Sequence, residues 1–108
     1  MLRPPEGLAH SDREALLDAM RQAFSTIPGI ERVRIGRRKL MGRGYEALLN
    51  EHMEWLAVLE FDSESDLMRY LDHPAHVDLG KRFFESAEAA LVYDFVIVEP
   101  GRVRDLLE

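Results

Sequence analysis

Cysteine is missing from the 108-residue sequence. Its absence excludes disulfides, thiolate zinc sites and cysteine nucleophiles, and it fits a reducing compartment. Long apolar runs are missing too, because no stretch approaches the ~20 residues that a membrane-spanning helix needs. The opening letters MLRPPEG contain no apolar segment of the kind that a signal peptide carries. We therefore expect a soluble, cytoplasmic protein with no membrane partner.

Positive charge is scarce for a chain of this size. Lys and Arg number 14 against 20 Asp and Glu, giving a net charge of −6. Nucleic-acid binding requires a cationic face, so we expect no nucleic-acid partner. One central region runs against the average and contains Arg32, Arg34, Arg37, Arg38, Lys39 and Arg43. The favoured interpretation is a solvated strand edge and loop; the alternative is a loop that contacts an anion.

The length and composition predict a single globular domain over residues 1–108. Apolar residues make up 46% of the chain and charged residues 31%, which is an ordinary balance for a globular domain. A chain of this length can bury roughly two-thirds of its surface on folding. No internal repeat or low-complexity segment suggests a second unit.

The first element is predicted to be a helix over about residues 12–26. Ser11 and Glu14 have the spacing of a capping box, in which each side chain bonds a free backbone amide of the first turn. Apolar residues then recur at helical spacing. Pro28 and Gly29 end the helix because neither continues it well.

Three β-strands are predicted from alternating or continuous apolar runs. Residues 30–37 alternate Val33 and Ile35 with arginines, as expected of a strand with one solvated face. The segments 55–61 and 91–98 differ, because both of their faces are apolar. Residues 38–51 contain Gly42 and Gly44 and predict a loop with a helical turn or a segment that packs over a pocket.

The two-sided apolar strands predict a partner. A chain this small has helices to cover only one face of a sheet, and an uncovered apolar face marks an interaction surface. We expect a second copy of the chain to pack sheet to sheet, as a two-fold homodimer.

The remaining elements complete a ferredoxin-like pattern. Ser63 can cap a short helix, and a second helix is predicted from about Pro74 to Ala89. The order resembles a βαββαβ unit whose first strand is truncated to residues 1–3, because Pro4 and Pro5 prevent further pairing. The predicted class is α+β, and we expect either an upstream start or another segment in place of the missing strand.

The stretch RYLDHPAHVDLG, residues 69–80, stands out because two histidines flank a Pro–Ala pair. One interpretation is purely structural: Pro74 begins a helix, and His73 or Asp72 caps it. A metal site built on the His-x-x-His spacing is disfavoured, because no carboxylate at a suitable spacing completes the ligand set.

A third interpretation of this stretch is chemical. On an unbroken helix Tyr70 and His76 would lie about 120° apart, but a break at Pro74 can bring both to one cavity. His76 then offers an imidazole as a general base, and Tyr70 offers a hydroxyl to a developing oxyanion.

The sequence resembles the stress-responsive A/B barrel (Dabb) domain family of dimeric α+β barrel proteins. The resemblance extends from Leu2 over nearly the whole chain and depends on Ile27-Pro28-Gly29-Ile30, Phe61-Asp62-Ser63, the string Tyr70-x-x-His73-Pro74-x-His76 and a closing strand around Tyr93-Asp94-Phe95. It implies two ferredoxin-like protomers whose sheets pack together.

The resemblance also implies a function and a site. It extends to a plant polyketide cyclase, in which the residues matching Tyr70 and His76 assist an aldol closure without a cofactor. Proposed cavity walls are Trp55, His73, Phe83, Phe84 and Tyr93. We expect a homodimer that binds an apolar small molecule; a cofactor-independent cyclase or lyase and a cofactor-less monooxygenase are the alternatives, and no cofactor or metal is predicted.

Overall fold

The computed structural model describes residues 1–50 and 52–108, and it describes the side chains of these residues apart from 82–86. Four strands and three α-helices are found in the described part. They are β1 (Leu2–Arg3), α1 (His10–Thr26), β2 (Arg32–Arg37), β3 (Trp55–Glu60), α2 (Glu64–Asp72), α3 (Pro74–Ser86) and β4 (Ala89–Ala90). Short 3₁₀ segments cover Gly44–Leu48 and Pro100–Leu107. None of the described helices is long and apolar enough to cross a membrane.

The four strands form one antiparallel sheet in the order β2-β3-β1-β4. This order and the βαββαβ sequence of elements confirm the predicted ferredoxin-like α+β fold. β2 and β3 pair along their whole length, with Ile35 opposite Ala57 and Val33 opposite Leu59. β1 is only two residues long, and Leu2 pairs with both Trp55 and Ala90. The short first strand therefore joins the two halves of the sheet.

The two faces of β3 differ in their cover. Ala57 and Leu59 are half-buried, whereas Leu56 and Val58, which alternate with them along the strand, are 43% and 42% exposed. The ring of Phe61, just beyond β3, lies 5.2 Å from the ring of Tyr70 on α2. The helices therefore cover the face of Ala57 and Leu59, and an apolar strip remains open on the other face.

Helix α1 begins earlier than predicted, and the capping box is wrong. The N-cap residue is Ala9, which makes no side-chain cap, so Ser11 lies inside the helix. Glu14 instead accepts from the Nε2 atom of His10 at 2.9 Å. The first turn is held against the sheet by Arg13, whose guanidinium pairs with Glu54 at 2.9 Å. Because the helix begins before Ser11, this residue cannot serve as its N-cap.

The predicted closing strand over residues 91–98 is also wrong, because only Ala89 and Ala90 join the sheet. Backbone bonds to the first strand continue as far as Leu91, whose N–H donates to Met1 O at 2.9 Å. The α-ammonium of Met1 donates to Leu91 O at 2.7 Å. Residues 92–97 lie outside the sheet and are exposed.

The second half of the chain agrees more closely with expectation. Ser63 caps α2 as predicted, with its hydroxyl accepting from the Asp66 N–H at 3.1 Å. Helix α3 begins at Pro74 as predicted but ends at Ser86, three residues before the predicted end. The glycine-containing loop after β2 contains the expected helical turn.

Candidate functional site at the break between two helices

The break between α2 and α3 is built by Pro74 and His73 together. Pro74 has no N–H and cannot continue the hydrogen bonding of α2. His73 has extended backbone angles, and its Nδ1 atom accepts from the Ala75 N–H at 3.0 Å. His73 therefore caps the first turn of α3, as the structural interpretation of the motif predicts.

Because of this capping bond, one backbone carbonyl of α2 is available to accept a hydrogen bond from His76. In a continuous helix Leu71 O would accept from the Ala75 N–H, but that N–H bonds to the His73 ring instead. Leu71 O accepts from Nδ1 of His76 at 3.0 Å. A carbonyl can only accept, so Nδ1 carries the proton, and Nε2 of a neutral ring presents its lone pair. The bond fixes both the tautomer and the direction of the ring.

Tyr70 lies directly against His76. The two ring centroids are 4.4 Å apart with their planes at 51°, and Tyr70 is only 8% exposed. On the other side, Phe61 packs against the same tyrosine ring. Among the described residues no group is hydrogen-bonded to the Tyr70 hydroxyl, so this hydroxyl is available to a ligand.

The environment keeps Tyr70 protonated. Burial, with a contribution from the negative charge of Asp94, raises the pKa of Tyr70 from 10.0 to about 12. Both effects disfavour the phenolate form. The hydroxyl is thus a hydrogen-bond donor throughout the physiological pH range.

Tyr70 and His76 line the same cavity, which has a volume of about 520 Å³. Trp55 and Tyr93, two of the predicted wall residues, also line it. Most of the remaining lining is apolar and comes from α1, β3, α3 and the segment after β4. A cavity of this size with few polar groups is typical of a small-molecule site.

The other predicted wall residues have different outcomes. His73 does not line the cavity, because its ring is turned to the backbone of α3 as a cap. Phe83 and Phe84 lie in α3, but their side chains are outside the described residues.

Lining residues that were not predicted as site residues include Phe24, Gly80 and Asp94. The sequence does contain a signal for Asp94, since it is the one charged residue that interrupts the apolar segment 91–98. Phe24 belongs to the apolar stripe of α1. Gly80 carries no distinctive pattern, because its role depends on which side of α3 faces the sheet.

Among the described residues, no group of three His, Cys, Asp or Glu side chains is placed to hold a metal ion. The ring Nδ1 atoms of His73 and His76 make separate bonds, to Ala75 N and Leu71 O. These separate bonds hold the two rings on different backbone partners.

The central basic region lies on β2, which is an edge strand, and on the loop after it. In that loop the amides of Met41 and Arg43 donate to the carboxylate of Glu46, at 3.1 and 2.6 Å. The bond from Arg43 is the main reason that the pKa of Glu46 is lowered. The loop thus holds an anion from its own chain, which favours the solvated-edge interpretation.

Comparison with known proteins places these features in a family. The family model for the stress responsive A/B barrel domain matches residues 1–97. No match is found among curated proteins.

Several solved structures share the fold. A crystal structure of an Arabidopsis thaliana protein has a TM-score of 0.73 and 18% identity, covering 91% of this chain and 90% of that one. A dimeric ferredoxin-like protein of unknown function from Jannaschia sp. CCS1 has a TM-score of 0.67 and 22% identity, covering 90% and 93%. A dimeric ferredoxin-like protein of unknown function from Thermobifida fusca has a TM-score of 0.62 and 18% identity, covering 82% and 77%.

Proposed function

Because the chain belongs to the stress responsive A/B barrel domain family, we propose that it is a homodimer that binds an apolar small molecule in the cavity beside Tyr70 and His76. The observation that carries the proposal is the 4.4 Å contact between these two rings at the wall of a cavity of about 520 Å³. A tyrosine hydroxyl with no bonded group among the described residues and an imidazole held in one orientation supply the few placed polar groups that are typical of a small-molecule site.

The homodimer is supported by the open apolar strip on the sheet. Leu56 and Val58 are more than two-fifths exposed, and Val92 and Phe95 of the unpaired segment are 74% and 77% exposed. An exposed apolar surface of this kind on a single protomer marks a site of interaction with another molecule. The Jannaschia and Thermobifida relatives are described as dimeric, and a shared sheet-to-sheet interface would cover the strip here. Sedimentation at micromolar concentration tests this, and a single-copy species would contradict it.

A direct binding experiment tests the ligand site. Trp55 is the only tryptophan and lines the cavity, so its fluorescence reports on occupancy. We expect apolar ligands of moderate size to change the emission of the wild type. Gly80→Phe should abolish the response by filling the cavity, whereas Gly101→Phe in the C-terminal 3₁₀ segment should not. An equal response from all three proteins would place binding elsewhere.

A second candidate function is aldol-type cyclisation without a cofactor, favoured by the bond from His76 to Leu71 O. The lone pair on Nε2 would take an α-proton from a β-dicarbonyl carbon, and Tyr70 would donate to the carbonyl oxygen as it becomes an enolate. The enolate carbon would then form a bond to a second carbonyl carbon, whose oxygen receives the proton back from His76.

The motif in which these residues lie is similar to that of olivetolic acid cyclase, a plant polyketide cyclase. The similarity is confined to the string from Tyr70 to His76, and Trp55 occupies a position that is histidine in the cyclase. Turnover of a poly-β-keto substrate is the relevant assay. A cofactor-less monooxygenase or haem-degrading activity stays a separate prediction, which haem or flavin titration followed by absorbance tests.

A further inference from the structure

The chemical groups in the cavity walls favour a ligand of one charge over a ligand of the opposite charge. Aromatic side chains form much of the lining: Phe24, Trp55, Phe61, Tyr70, Tyr93 and Phe95. The faces of aromatic rings carry partial negative charge and attract organic cations. An aromatic wall alone also suits a neutral apolar ligand, so a second feature is needed to decide.

Asp94 is that second feature. It is the single Asp or Glu among the described lining residues, and it follows Tyr93 and precedes Phe95, whose ring centroids are 6.0 Å apart. Its charge is felt inside the cavity, because it contributes to the raised pKa of Tyr70. A carboxylate and aromatic rings in the lining of one cavity attract a cation through both charge and ring faces.

The cavity lining contains little positive charge that could offset the negative charge of Asp94. No Lys or Arg side chain is among the described lining residues. Met1 is itself a lining residue, and its α-ammonium donates to Leu91 O, three residues before Asp94. The imidazole of His76 already uses Nδ1 on Leu71 O. A ligand carboxylate would therefore be repelled by Asp94, and no Lys or Arg side chain of the described lining would pair with it.

We propose that the cavity selects an apolar ligand that carries a cationic ammonium group, which lies between Asp94 and the surrounding aromatic rings, and that it discriminates against carboxylates. The inference rests on the proposed small-molecule site and adds the charge class of the ligand. It assigns to Asp94 a role in selectivity, in addition to the Tyr70–His76 pair.

Three probes of equal alkyl chain length separate this inference from the proposed function. They are an alkyltrimethylammonium ion, the corresponding alkanol and the corresponding alkanoate, each titrated at low ionic strength while Trp55 emission is followed. We expect the ammonium probe to bind about tenfold more tightly than the alkanol, and the alkanoate to bind more weakly than both. The preference should decrease as salt is added.

Asp94→Asn is the diagnostic variant, because it keeps the side-chain shape and removes the charge. It should bring the ammonium and alkanol affinities to within about threefold of each other, since cation–π attraction remains. The alkanol affinity itself should change little. Asp62→Asn, which removes the same charge from an exposed position outside the cavity lining, should leave the tenfold preference intact.

The outcomes are distinct. Alkanol binding without a preference for the ammonium probe, or tighter binding of the alkanoate, would overturn the inference and leave the small-molecule site standing. A preference that survives in Asp94→Asn but disappears in Asp62→Asn would also overturn it. Failure of all three probes to bind would overturn the inference together with the proposed function.

Discussion

Nδ1 of His76 donates to the backbone oxygen of Leu71 at 3.0 Å across the break between α2 and α3. The bond exists because His73 takes the Ala75 N–H that would otherwise occupy that oxygen. One histidine thus shapes the backbone, and the second uses the carbonyl that becomes available. The two histidines of the motif consequently have different roles, which point mutations can separate.

The first prediction compares these two histidines. His76→Ala should reduce turnover of a poly-β-keto substrate by about 100-fold or more, because the proposed base is lost. His73→Ala should lose about 1 kcal/mol of unfolding free energy, because it removes a helix cap. It should reduce turnover less than His76→Ala does, because the base is still present and only the Leu71 oxygen that orients it becomes open to competition from the Ala75 N–H. Steady-state kinetics and urea unfolding measure the two effects. Equal losses of turnover in both variants would contradict the division of roles.

The second prediction concerns Tyr70 at alkaline pH. Its pKa is raised from 10.0 to about 12 in the folded protein, so the unfolded chain loses this proton first as pH rises. The contribution of Tyr70 to the free energy of unfolding is fully present below pH 10 and is lost as pH rises toward 12. This contribution amounts to roughly 2 kcal/mol. Urea unfolding at pH 8 and pH 11.5 should show the decrease.

The control for this pH effect is a second tyrosine. Tyr70→Phe should remove part of the alkaline loss of stability, and it should remove the latest step in a spectroscopic tyrosine titration. Tyr45→Phe, at a position that is 63% exposed and outside the cavity lining, should retain both. An unchanged late step in Tyr70→Phe would show that the buried tyrosine titrates normally.

The third prediction tests the open face of the sheet. Val58→Asp places a charge in the middle of the apolar strip on β3, and it should shift the protein toward single copies in sedimentation at micromolar concentration. Val77→Asp on α3 is the matched control, because Val77 is 48% exposed and Val58 is 42% exposed. If Val77→Asp dissociates the protein and Val58→Asp does not, the interface lies on the helices.

The fourth prediction concerns Gly80 in α3. A Cβ atom built at this position meets no atom within 4 Å, so Gly80→Ala should raise the unfolding free energy by about 0.5–1 kcal/mol through helix propensity. Gly29→Ala should instead lower it by about 1 kcal/mol, because Gly29 has φ +90°. Thermal or urea unfolding distinguishes the two, and destabilisation by Gly80→Ala would mean that the position is packed.

Local signals predicted several elements well. The cap at Ser63 and the helix start at Pro74 both depend on residues within one turn, because a hydroxyl or a missing amide acts on its immediate neighbours. The alternation in residues 32–37 likewise placed β2, since successive side chains of a strand point to opposite faces. These features need no knowledge of distant parts of the chain.

Non-local contacts explain the errors. The capping box at Ser11 did not form, and the first turn of α1 instead carries Arg13, which pairs with Glu54 far along the chain. The segment 91–98 has strand composition, but a strand requires a partner, and the pairing with the first strand ends at the bonds between Leu91 and Met1. Composition predicts only the tendency to pair, whereas the sheet order decides whether a neighbour exists.

The sequence by itself determined the element order, the break at Pro74 and the presence of a tyrosine and a histidine on either side of it, because each depends on short-range backbone chemistry. Only the tertiary structure decided that the two rings lie 4.4 Å apart at one cavity and that Asp94 lies in the same lining. The physical reason is that the angle between α2 and α3, and the course of the chain after β4, are set by packing on the sheet.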